Sequence, residues 1–161
     1  MSAFSSFSSN NQHDYDEEGS NHSNGFYRLI DHTADLGIRV FSKNRVGIFI
    51  TSAQAMFDLI ADRQNVYGEA AFCLSVLGED DPDLLMNFLR ELLYGWAVYR
   101  RLVKDIEVSE LSKKKLSASI TYDVYQSSIH EMRNEIKAVT YHLLSVEKDS
   151  DGWQAQVIFD V

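Results

Sequence analysis

The residues best suited to chemistry in this chain are carboxylates held beside apolar segments. Asp31-His32-Thr33-Ala34-Asp35-Leu36-Gly37 sets two acids and a histidine in a turn between two apolar stretches. Carboxylates projecting from a rigid strand-turn-strand suit a hard divalent cation, because Ca²⁺ and Mg²⁺ take oxygen donors. The same residues also suit plain turn chemistry, with Asp and Thr side chains bonding the local backbone. At the other end, Ile158-Phe159-Asp160-Val161 finishes an apolar strand with an acid, and the α-carboxylate of Val161 would stand next to the Asp160 side chain. A third acidic set, Glu79 to Asp83, precedes a helical pattern, where acids are ordinary helix-start residues. Lys137 and His142 lie on an apolar segment, Ile136 to His142, and are candidate contacts for an anion or a partner.

Other machineries are missing from the pattern. The eight glycines form neither a G-x-x-x-x-G-K-[ST] loop nor a G-x-G-x-x-G turn, and no serine sits in a G-x-S-x-G elbow. Cys73 is the only cysteine, which excludes an internal disulfide and a thiolate metal cage; its place in an apolar strand reads as a buried small hydrophobe. The net charge of -9 opposes direct nucleic-acid binding, which needs Lys and Arg against the phosphates. No apolar run approaches the roughly 20 residues that span a bilayer. Met1 to Ser9 has no basic stretch leading an apolar block, so the expected compartment is the cytoplasm.

The elements that must position these residues follow from hydrophobic period. Residues 1–25 are mostly polar and acidic, with too little apolar content to offset the entropy of ordering, and are expected to be a disordered tail. A single domain is expected over residues 26–161. Strands are predicted at Phe26–Ile30, Leu36–Phe41, Ala70–Leu77, Asp105–Leu111, Leu116–Tyr125, Ile136–Glu147 and Trp153–Phe159, with Asp151-Gly152 as the last tight turn. Asn44 is placed to cap a helix ending near Asp62, and Asp80-Asp81-Pro82-Asp83 to open a second that runs to about Arg101. The wide apolar stripe of the second helix predicts that it is the better buried of the two. The order predicts an α+β fold, a mixed sheet of about six to seven strands with two main helices on one face.

In order and spacing these segments resemble the archease family from Phe26 onward. The resemblance is carried by Asp31-His32-Thr33-Ala34-Asp35-Leu36-Gly37-Ile38-Arg39, by Ala55-Met56-Phe57-Asp58-Leu59, by Asp83-Leu84-Leu85 through Glu91-Leu92-Leu93-Tyr94, by Glu135-Ile136-Lys137-Ala138-Val139-Thr140-Tyr141-His142, and by Phe159-Asp160-Val161. It implies a small α+β accessory protein without catalysis of its own. The implied partner is an RtcB-type RNA ligase, which joins RNA ends during tRNA splicing and repair. The implied role is to promote guanylylation of the ligase's active-site histidine by GTP and so permit multiple turnover. It also implies a divalent-metal site, with Ca²⁺ expected in a crystal and Mg²⁺ or Mn²⁺ as alternatives. On this chain the ligands would be Asp35, Asp160, the Val161 carboxylate and an acid before the second helix, Asp80 or the adjacent Asp81. His32, Lys137 and His142 would be supporting or partner contacts. Two departures stand out: Leu143 where family members often have Gly, and Arg45-Val46-Gly47 in place of an acidic first helical turn. The rival readings are a stand-alone metal-dependent hydrolase, for which only His32 and Lys137 could serve as base or cationic clamp, and a chaperone-like binding module.

Overall fold

The computed structural model describes residues 21–22, 25–32 and 34–161, without the side chains of residues 21, 22 and 32. Most of the expected tail, together with Thr33, lies outside the described residues. Ten elements follow one another: β1 (Asn21–His22), β2 (Gly25–His32), β3 (Asp35–Ser42), α1 (Arg45–Ile60), β4 (Ala70–Leu77), α2 (Asp81–Tyr99), β5 (Arg101–Leu111), β6 (Lys115–Val124), β7 (Ala138–Asp149) and β8 (Gly152–Asp160). The α+β class and the single domain expected from the pattern are what the structure has. Backbone pairing begins at Asn21, ahead of the expected start of the domain.

The arrangement of the layers differs from the expectation. The strands form two sheets, a five-stranded one ordered β1-β2-β3-β8-β7 and a three-stranded one ordered β4-β6-β5, and every pairing is antiparallel. Each helix packs against both sheets and so lies between them, where one shared face was expected. This location reverses the burial ranking of the helices. In α1 every residue from Gly47 to Ile60 except Asp58 is buried, whereas α2 keeps Arg90, Glu91, Tyr94 and Val98 exposed. A stripe on one helix does not reveal a second layer behind it, which is why α2 looked the better covered.

Local chemistry sets the helix ends as the residues require. The Asn44 carboxamide accepts from the Gly47 N–H at 2.8 Å and satisfies an otherwise orphaned donor at the start of α1. Asp80 does the same for α2, accepting from Asp83 N–H at 2.9 Å, and Pro82 sits in the first turn, where its missing N–H costs nothing. Arg100 ends α2 in the left-handed region, its N–H donating to Trp96 O. No helix among the described residues is long and apolar enough to cross a membrane.

Cys73 corrects a second expectation. It is exposed, because β4 is an edge strand whose Ala71, Cys73, Ser75 and Leu77 all face outward, away from the helices.

Candidate functional site

Strand β3 is central to the five-stranded sheet. It pairs on one side with β2, from His32↔Asp35 to Phe26↔Phe41, and on the other with β8, from Leu36↔Phe159 to Ser42↔Trp153. Continuing the second register by one position sets Asp35 opposite Asp160. On adjacent antiparallel strands such positions face the same side, with Cα atoms about 4.5–5.5 Å apart. Leu36, Ile38 and Val40 point to the core, as do Val157 and Phe159. Asp35 and Asp160 alternate with them and therefore belong to the outer face of the sheet.

This face is closed beneath the two acids by a short apolar step. Gly37 lies between Ile30 and Ile158, and a Cβ there would come within 2.5 Å of Ile30 Cγ1 and 2.9 Å of Ile158 Cδ1. Only glycine lets the two isoleucines meet across β3, so the Leu36-Gly37 pair in the motif has a packing cause.

Strand β7 flanks the other side of β8. Ala138 pairs with Asp160, and the Lys137 N–H donates to Asp160 O at 2.8 Å. Across the sheet the row therefore runs His32, Asp35, Asp160, Ala138, with Lys137 and Val161 adjoining it. The His32 side chain lies outside the described residues.

His142 falls elsewhere. Between Thr140↔Ile158 and Ser145↔Gln156 strand β7 bulges outward, and exposed His142 sits in that bulge with Leu143 at φ 54°. On α2, Arg90 lies over the Tyr141 ring at 5.7 Å.

Asp80 does not join the row, and this corrects its assignment as a ligand. Its neighbour Asp81 is held at 2.6 Å by Arg45, which follows the far end of β3 and also donates to Ser112 O. An eight-residue strand separates the two ends by about 23 Å. Arg90, more than two turns along α2, is what reaches the Tyr141 end. Asp80 is a helix cap, and a capping acid and a metal-binding acid look the same in one dimension. Asp81 is excluded by the same geometry. Among the described residues no group of three or more His, Cys, Asp or Glu stands close enough together to hold a metal ion. What the fold brings together is two aspartates, with Val161 next in sequence to the second. An all-oxygen set of this kind suits a hard cation, with remaining positions left to water or a partner.

A second constellation was not singled out from the sequence. A cleft of about 380 Å³ is lined by Tyr67, Glu69, Tyr122, Asp123, Ile129 and His130 among others. His130, 5% exposed, accepts from Gln126 N–H at 2.9 Å through Nδ1 and lies 3.1 Å from Asn65 O through Nε2, which makes the neutral Nε2–H tautomer the one that satisfies both contacts. Asp123 accepts from the N–H groups of Tyr67 (2.6 Å) and Glu69 (2.8 Å). Burial raises its pKa, but donation from the Glu69, Tyr67 and Gly68 N–H groups outweighs that, and the carboxyl titrates below the ordinary aspartate value. Asp123 ties the loop after α1 to β6, and His130 ties it to the segment after β6. The long separation in sequence of these partners left no signal in spacing.

The fold and the outer-face aspartate pair define a small α+β protein with one sheet end built from carboxylates. Residues 27–161 match the model of the Archease protein family (MTH1598/TM1083). Proteins called archease are similar to it in sequence: that of Methanosarcina barkeri is 34% identical over 139 residues, covering 84% of this chain and 95% of the relative, and that of Pyrococcus abyssi is 37% identical over 135 residues, covering 81% and 95%. The solution structure of Methanobacterium thermoautotrophicum protein 1598 is similar in fold, with a TM-score of 0.68 and 25% identity over 84% of this chain and 98% of the other. This chain belongs to the archease family.

Proposed function

We propose that this chain is an accessory protein that activates an RtcB-type RNA ligase, promoting guanylylation of the ligase's active-site histidine by GTP so that the ligase turns over repeatedly in tRNA splicing or RNA repair. Family membership supports the accessory role. The single observation that carries the rest is the juxtaposition of Asp35 with Asp160 at one end of the sheet, beside Val161 and Lys137.

Like-charged carboxylates side by side repel each other unless a cation lies between them. In this reading Asp35, Asp160 and the Val161 carboxyl group hold a divalent cation, Ca²⁺, Mg²⁺ or Mn²⁺. When bound, it supplies a positive centre that a carboxylate or phosphate of the partner complex can join. The chain's own part is to fix the two aspartates on neighbouring strands, with Gly37, Ile30 and Ile158 bracing them from below. Lys137, anchored by its backbone to Asp160, adds a cation beside the row. The nucleotide chemistry stays with the ligase, and the cytoplasm is the compartment this partnership requires.

Multiple-turnover joining of an RNA 3′-phosphate to a 5′-hydroxyl by limiting ligase provides the test. Added chain should convert a reaction that stalls near one turnover into one that continues. A yield that stays at the ligase concentration would refute the proposal.

A further inference from the structure

The outer face of the five-stranded sheet carries more than the aspartate row. Strand register sets Arg28 of β2 directly opposite Arg39 of β3, with Gln156 of β8 on the other side of Arg39. Both arginines are exposed, and they share the face of Asp35 because each stands an even number of positions along its strand from the His32↔Asp35 pair. Like charges directly opposite on neighbouring strands destabilise a sheet. With 24 acids against 15 Lys and Arg in the chain, a carboxylate beside them is the ordinary remedy, yet none of the ion pairs among the described residues includes either arginine. Asp35 is four positions along β3, about 13 Å away, and Glu147 is two strands over.

Each guanidinium is nevertheless held in place. Phe26 and Phe41 stack with ring centres 4.9 Å apart, and Arg28 Cζ lies 5.7 Å from one centre and 5.9 Å from the other. Arg39 donates through Nη2 to Gln156 Oε1 at 2.9 Å, and Gln156 in turn donates through Nε2 to Leu143 O at 3.2 Å. Among the described residues Arg28 donates no hydrogen bond and Arg39 only this one, so most N–H groups of the two forks have no protein acceptor.

We propose that Arg28 and Arg39 form an oxyanion site whose ligand is a phosphoryl group of a small molecule. Strand pairing sets the two Cα atoms about 4.5–5.5 Å apart, so both side chains reach one ligand. A phosphate monoester carries up to about two negative charges and offers its oxygens to both forks, whereas a carboxylate carries one charge and leaves the repulsion half relieved. A nucleic acid fits less well, because an isolated arginine pair is no track for a phosphate backbone and the net charge of -9 repels a polyanion more than a dianion. The site stands apart from the aspartate row and needs no cation.

Calorimetric titration of the full chain in chelator with orthophosphate, diphosphate and GTP, the nucleotide of the proposed ligase reaction, reads this site without any contribution from a metal ion. Saturable binding of diphosphate is expected, weaker at higher salt. Arg28→Gln or Arg39→Gln should weaken it by about tenfold or more through loss of one charge-assisted fork. Melts of the same proteins exclude a merely structural role. In phosphate-free buffer Arg39→Gln should melt no lower than the wild type, since the like-charge pair is gone. Phosphate should raise the wild-type melting temperature more than that of the variant, whereas a general salt effect raises both equally. GTP bound more tightly than diphosphate identifies the ligand as a nucleotide, and equal affinities identify it as the phosphoryl group alone. The absence of saturable binding by all three overturns the proposal, as do folded variants that bind like the wild type. A 3′-phosphorylated oligonucleotide that binds more tightly than any of them overturns the choice of a small ligand.

Discussion

Asp35 and Asp160 come from opposite ends of the folded sequence and stand at neighbouring positions on β3 and β8, on the same outer face. Without a cation this pair is a source of repulsion; with one it becomes a site. Asp160→Asn should therefore be neutral or stabilising by about 0.2–1 kcal/mol in chelator, and should lose the rise in melting temperature that Ca²⁺, Mg²⁺ or Mn²⁺ gives the wild type. A C-terminal extension, which removes the Val161 carboxylate, should weaken cation binding in the same titration. An extended form that binds as tightly as the wild type would remove Val161 from the ligand set.

Leu143 occupies the left-handed region at φ 54° in the β7 bulge, and the residue is 53% exposed. A left-handed residue with a Cβ costs about 1–2 kcal/mol, and glycine gives back about 0.5–1 through chain entropy. Leu143→Gly should thus raise stability by about 0.5–1 kcal/mol in urea unfolding. A loss of stability would mean that the exposed leucine is held by contacts stronger than its backbone strain.

Asp58 joins three elements: it accepts from Tyr27 Oη at 3.1 Å in β2 and from Arg63 Nε at 2.7 Å, and Arg63 in turn donates to Val103 O and Lys104 O in β5. The two charged side chains are 16% and 12% exposed, which places the pair below the fully buried limit. Asp58→Ala strands the Arg63 cation and should cost about 2–3 kcal/mol, seen as a lower midpoint in denaturant. A change within experimental error would show that water takes over the arginine.

Acid stability depends on Asp123. Its folded pKa is depressed below the ordinary 3.8, so its contribution is complete above that value and is lost as pH falls through the lower folded pKa. Replacing it with Asn should flatten the stability profile on the acid side of pH 3.8 and reduce stability at neutral pH. A mutant profile parallel to that of the wild type would contradict the role assigned to the Tyr67 and Glu69 N–H groups.

Which features were legible in the sequence depended on the range of the interaction. Asn44 and Asp80 announce their helices because a cap acts over three residues, and Ala70–Leu77 is readable because alternation is local. The meeting of Asp35 with Asp160 required β8 to be seated beside β3, a long-range pairing that no local pattern announces. The division into two sheets was not legible, since nothing in β4, β5 or β6 says that they pair only with one another. The same blindness produced the two local corrections. Cys73 sits on an edge that only the sheet order exposes, and Asp80 sits at the wrong end of a strand whose length is fixed but whose neighbours are not.

The most direct test of the central claim is a guanylylation time course of a purified RtcB-type ligase with labelled GTP and Mn²⁺, run alone, with this chain, and with its Asp160→Asn variant. The account predicts that the wild-type chain accelerates labelling of the ligase and that the variant, folded as judged by its melt, accelerates it far less. Equal labelling in all three reactions would contradict it.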